Sequence, residues 1–124
     1  MKIVVIIARL LLGLVFVVFG LNIFLHFIPQ PPLQPGPFKD FATALFSTRY
    51  IWAVGALQVV GGLIFLIGRY VPLGLMLLGP VIVNIDLTHL LMEPKGLPIA
   101  AVVSMLALVV LYGYRSAFAG LVKP

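Results

Sequence analysis

Four long apolar runs, separated by short polar or proline-bearing joins, organise the chain. The first extends from Ile3 to Ile28 and is interrupted only by Arg9, Asn22 and His26. The second, Tyr50 to Ile67, is broken by Gln58, and the third, Pro72 to Met92, holds Asn84, Asp86, Thr88 and His89. The fourth runs from Leu97 to Tyr114, with Pro98 in its first turn, where a missing backbone donor costs nothing. Crossing the hydrocarbon core takes about 20 predominantly apolar residues, so the pattern predicts spans over about 3–28, 50–67, 72–92 and 97–114. The first run is too long for a signal peptide and has no small-residue cleavage pattern, so it is expected to remain in the mature protein.

The join between the first two runs has structure of its own. PQPPLQPGP, residues 29–37, denies the backbone helical donors and predicts a stiff, extended connector. In FKDFATALFSTR, residues 38–49, Phe38, Phe41, Ala42, Leu45 and Phe46 recur at intervals of three and four, while Lys39, Asp40, Thr43 and Ser47 take the other side. The spacing predicts an amphipathic helix over about 38–48. It is too short to span, and lies either in the membrane interface or against the end of the other helices. The expected architecture is all-α: one transmembrane domain over 1–124, a four-helix up-and-down bundle with a short interfacial helix between spans one and two.

Composition agrees. The chain is 63% hydrophobic and 9% charged, more apolar than a soluble domain of 124 residues can bury, which makes the lipid bilayer its first partner. Its net charge of +5 comes from scattered cations with no run to track a phosphate backbone, which argues against nucleic acid. There is no Cys, so its own side chains perform no thiol chemistry and build no Cys-based metal site. Lys2, Arg9, Arg69, Arg115 and Lys123 fall on one side of the spans and Lys39, Arg49 and Lys95 on the other. That bias is expected to place both termini in the cytoplasm.

In this topology Asn22 and His26 lie in the outer half of span one, four residues apart on one face. Asn84, Asp86 and His89 lie in the outer half of span three, and Gln58 lies about 12 Å below Tyr50 along span two. The six polar residues therefore reach a similar depth and form the candidate ligand-binding or proton-relay cluster. Asp86 and His89 share a face and are expected to pair; Asn84 and Thr88 occupy another. Pro80 removes a helical donor and is expected to kink span three.

Two readings of this cluster stay open. The residues are interhelical hydrogen-bond glue, or they line an outer-leaflet pocket, since intramembrane ionisable groups mark ligand and proton routes. A pocket of this kind suits a quinone, with His26 and His89 bonding its oxygens and Asp86 orienting His89. Haem held by the two histidines is disfavoured, because isolated histidines in a bundle far outnumber bis-His haem sites. A metal is disfavoured too, for want of a helical H-x-x-x-H or E-x-x-H spacing, and no residue is assigned a catalytic role.

Two glycine-bearing stretches carry a family resemblance. ARLLLGLVFVVFGLNIFLHFIP, residues 8–29, resembles the first helix of the DoxX and DoxD-like family, commonly R-x-x-L-G-x-x-F-x-x-x-G-x-x-K, through Arg9, Gly13, Phe16 and Gly20. Asn22 and Ile23 stand where that family often has Lys. ALQVVGGLIFLIGRYVPLG, residues 56–74, resembles its E/Q-x-x-G-G-x-x-L-x-x-G run through Gln58, Gly61, Gly62 and Gly68. The resemblance implies a small four-helix subunit of a membrane oxidoreductase complex, some of whose members pass electrons to quinone. Two other roles compete: a purely structural or assembly subunit, and a proton or small-solute carrier, which with four helices would need a homo-oligomer or other subunits.

Overall fold

The computed structural model describes residues 2–27 and 32–121. The end of the first apolar run at Ile28, the connector's residues 29–31 and Lys123 lie outside them. Among the described residues all the regular secondary structure is helical, with no strand. Its elements are α1 (Lys2–Leu25), α2 (Pro37–Ser47), α3 (Tyr50–Ile67), α4 (Val71–Leu91), a 3-10 turn at Pro94–Gly96, α5 (Leu97–Gly113), α6 (Arg115–Phe118) and a 3-10 turn at Ala119–Leu121. Four helices are long and apolar enough to cross a membrane: α1, α3, α4 and the stretch Pro94–Gly113 that contains α5. α6 and the turn after it were not foreshadowed by the apolar pattern.

α1 packs on α3 and α5, and α4 packs on the same two helices, so each long helix has two long neighbours. In lipid no hydrophobic contrast drives helices together, and close van der Waals approach does instead. The α1–α3 seam shows this most clearly. A Cβ on Gly13 would stand 2.9 Å from the Gly62 carbonyl oxygen, one on Gly62 would stand 2.8 Å from that of Gly13, and one on Gly20 would stand 3.1 Å from that of Gly55. Only glycine lets the two backbones come so close. GLVFVVFGL (13–21) and GALQVVGGL (55–63) resemble each other, and they pair antiparallel, the first glycine of each against the last of the other. Gly61 meets Leu78 and Gly74 meets Phe65, which sets α3 against α4, also antiparallel. Leu12, Phe16, Phe65, Leu78, Val103 and Val110 belong to the core between them.

The joins follow backbone chemistry. Gly68 ends α3 in the left-handed conformation (φ 81°), its N–H on the Ile64 carbonyl at 2.9 Å, a glycine C-cap. Arg49 (φ 62°) and Tyr70 (φ 60°) take the same left-handed conformation before α3 and α4. α2 packs on α3, with Phe38, Phe41, Ala42 and Leu45 half-buried and Lys39, Asp40 and Thr43 exposed, the division its periodicity predicts. Phe46, expected on the apolar side, is 49% exposed.

Candidate functional site

α4 runs unbroken from Val71 to Leu91 through Pro80. Its polar residues are largely tied to its own backbone. Asn84 donates its side-chain amide to the Pro80 carbonyl at 2.8 Å, Thr88 donates its hydroxyl to the Asn84 carbonyl at 2.7 Å, and His89 Nδ1 lies 2.8 Å from the Ile85 carbonyl. In hydrocarbon such local bonds satisfy a polar side chain without a neighbouring helix. A carbonyl only accepts, so His89 Nδ1 holds the proton, and in the neutral ring Nε2 presents a lone pair. That edge of the ring packs on the turn before α5: a Cβ on Gly96 would overlap His89 Cδ2 and Nε2.

Asp86 is the exception, because its bond crosses between helices. The half-buried carboxylate accepts from the Ser104 hydroxyl of α5, with Oγ 2.8 Å from Oδ1 and 2.6 Å from Oδ2. This contact fixes the antiparallel register of α4 against α5 in the half of the helices that holds His89. Asp86 and His89 do share a helical face, but the expected pairing does not form: each turns to a different group. Ser104 escaped the sequence reading, although a signal existed. It is the sole hydroxyl-bearing residue in the α5 stretch LPIAAVVSMLALVV, the kind of residue an acid on a neighbouring helix needs.

The other candidates spread out. α1 ends at Leu25, so His26 does not continue the helical face of Asn22. Its N–H closes the last turn on the Asn22 carbonyl at 2.8 Å, and its left-handed backbone (φ 51°) turns the exposed ring toward Phe46 of α2, 6.3 Å between centroids. The prolines that follow could not have carried the helix further. Phe24 and Trp52 lie nearby, their rings tilted to each other with centroids 6.2 Å apart, and the Arg49 guanidinium is 5.2 Å from the Trp52 ring. Gln58 is buried, 8% exposed, its Cβ against Gly20 in the α1–α3 seam, while Asn22 is half-buried two residues further along α1. The structure thus places the six residues in the same half of the helices but gives Asp86, His89 and His26 separate partners: Ser104, Ile85 with Gly96, and Phe46.

Around these contacts the long helices expose Leu91, Ile99, Met105 and Leu108, each more than 60% accessible, a surface suited to lipid tails. Four such helices define a multi-pass membrane protein whose apolar exterior contacts the bilayer. The chain matches no family model, no curated protein and no solved structure.

Proposed function

We propose that the chain is a small subunit of a membrane oxidoreductase complex, of the DoxX and DoxD-like kind, and that Asp86 is its working group. In this reading the four helices form an up-and-down bundle in a prokaryotic inner membrane, both termini are cytoplasmic, and α2 lies in the outer interface. The observation that carries it is the partnering of Asp86. An ionised carboxylate accepts about four hydrogen bonds, the Ser104 hydroxyl has one proton to give, and neither α4 nor α5 contains a Lys or Arg. Most of the acceptor capacity of Asp86 is therefore left for something else, and an acid kept within an apolar helix at a cost of about 2.5–3.5 kcal/mol at midspan marks a functional group. The family reading draws support from the seam: Arg9, Gly13, Gly20, Gly61, Gly62 and Gly68, which carry the resemblance, all stand at close contacts between elements.

The same reading extends to the form of the quinone. Asp86 accepts, whereas the Nε2 edge of His89 is covered by the turn at Gly96. A carboxylate acceptor complements a hydroxyl of a hydroquinone better than a carbonyl of the oxidised ring. A bound quinone would supply the two-electron chemistry, exchanging its electrons with the partner subunits, and Asp86 would hold one of its hydroxyls and exchange a proton with it. The test is purification in mild detergent with identification of what co-elutes, followed by Asp86→Asn. Retained quinol or partner subunits in the wild type, lost in a correctly folded Asp86→Asn protein, is the expected result; a clean wild-type monomer without either overturns the reading.

One observation favours a second reading, a purely structural subunit. Asn84, Thr88 and His89 use their side-chain bonds on the α4 backbone, as polar residues do when helix packing is all they serve. Under that reading Asp86→Asn leaves the activity of the assembled complex intact and shifts only stability.

A further inference from the structure

At the other end of the helices a cavity of about 450 Å³ opens between the start of α1 and the end of α5. Three cations, Lys2, Arg9 and Arg115, line it together with the Tyr114 hydroxyl and the apolar side chains of Val5 and Ile6. The chain has three acidic residues, and none is near. Asp86 stands fifteen residues into α4, about 22 Å along the axis from the end where Arg9 lies, while Asp40 and Glu93 belong to α2 and to the turn after α4. Among the described residues the positive charge has no acidic counterpart at this end.

Arg9 makes this more than a basic rim. Its guanidinium is wedged against Gly68, where a Cβ would stand 2.6 Å from Nη1, and Nη1 reaches the Tyr114 hydroxyl at 3.4 Å. Nε is buried and has no hydrogen-bond partner among the described residues. A buried, charged donor left without an acceptor is costly, and the natural remedy is an anion. Arg115 is held in place beside it, its guanidinium 4.1 Å over the Tyr112 ring and Nη1 on the Tyr112 carbonyl at 2.7 Å. Its remaining N–H groups are free to fork onto phosphate oxygens. The Tyr114 hydroxyl accepts from Arg9 and so has its own proton to donate.

We infer that this cavity binds the phosphate group of an anionic phospholipid. Depth decides for a lipid over a soluble anion. Lys2 and Arg9 are seven residues apart on α1, about 10 Å along the axis, so the cations follow a ligand from headgroup level inward while Val5 and Ile6 offer an apolar wall where acyl chains begin. Three cations without a nearby acid favour a net-negative headgroup over a zwitterionic one.

The test uses the full chain in mild detergent, with native mass spectrometry reading bound phosphatidylglycerol against phosphatidylcholine. Phosphatidylglycerol is expected to be retained at least roughly tenfold more tightly. Arg9→Gln and Arg115→Gln should each weaken it by about tenfold, whereas Arg69→Gln, at the same end but outside the cavity, should leave it unchanged. Because Arg9 is wedged in the fold, circular dichroism checks that variant, and exposed Arg115 carries the test if Arg9→Gln unfolds. Equal retention of the two lipids overturns the proposal, as does an equal loss in Arg69→Gln. Displacement of phosphatidylglycerol by inorganic phosphate alone would overturn the lipid assignment and leave a site for free anions.

Discussion

Removing the Ser104 hydroxyl by Ser104→Ala tests the side-chain hydrogen bond by which Asp86 ties α4 to α5. Oγ stands 2.8 and 2.6 Å from the two Asp86 oxygens, but a hydroxyl has one proton, so the contact is a single bond shared between two acceptors. The shorter distance lies in the range of charge-assisted O–H···O⁻ bonds, about 2.5–2.7 Å. In water-soluble proteins a bond to a charged group is worth about 1.5–3 kcal/mol. Between membrane helices the average is about 0.6 and the maximum about 1.7 kcal/mol, because the separated helices find other partners. For a short bond to a half-buried carboxylate the expected coupling is about 1–1.5 kcal/mol, near the top of the membrane range. A double-mutant cycle of Ser104→Ala and Asp86→Ala isolates it, since the cost of placing a charge in the helix cancels between the arms. Unfolding in mixed micelles can be followed by Trp52, the sole tryptophan, which sits against Phe24 at the α1–α3 seam and away from the mutated pair. Strictly additive single variants would refute the bond, and a coupling near the membrane average would mean that Ser104 meets a neutral partner.

Further outcomes follow from the same geometry. Gly62→Ala places a Cβ 2.8 Å from the Gly13 carbonyl and 2.9 Å from the Val17 nitrogen, backbone atoms that yield only if α1 moves; the same micelle titration should show a loss of about 1–3 kcal/mol. Gly79→Ala meets nothing within 4 Å, so helix propensity alone should make it neutral or stabilising by up to about 1 kcal/mol; a large loss would put a neighbour on that face. Gly96→Ala must push the His89 ring off the Ile85 carbonyl, which NMR of the ring nitrogens would register as a changed tautomer balance; an unchanged spectrum would contradict the packing. Since the chain has no Cys, Lys95→Cys and Ser116→Cys can be labelled without background, and in intact cells residue 95 should react from outside and residue 116 only after permeabilisation. The reverse pattern would invert the topology.

How far the sequence reached depended on which physical constraint each feature answers to. Hydrocarbon admits helices of about twenty residues whose backbones bond internally, so the number and position of the spans were written in the apolar runs, to within a residue or two for α3, α4 and α5. Gly13 and Gly20 stand seven apart in the sequence, as do Gly55 and Gly62, so each pair shares a helical face, and the four meet in one seam. The axial level of the polar residues followed from counting along each span. Rotation of each helix about its axis did not, because a helix that is apolar on every side has no periodic stripe to say which face is inward. That rotation, settled only when the helices pack, turned Asp86 to Ser104 and not to His89, and wedged Arg9 against Gly68 within reach of the Tyr114 hydroxyl. It also left His89 to bond the α4 backbone at Ile85, since a polar group in lipid takes the nearest acceptor when packing brings no better one within reach.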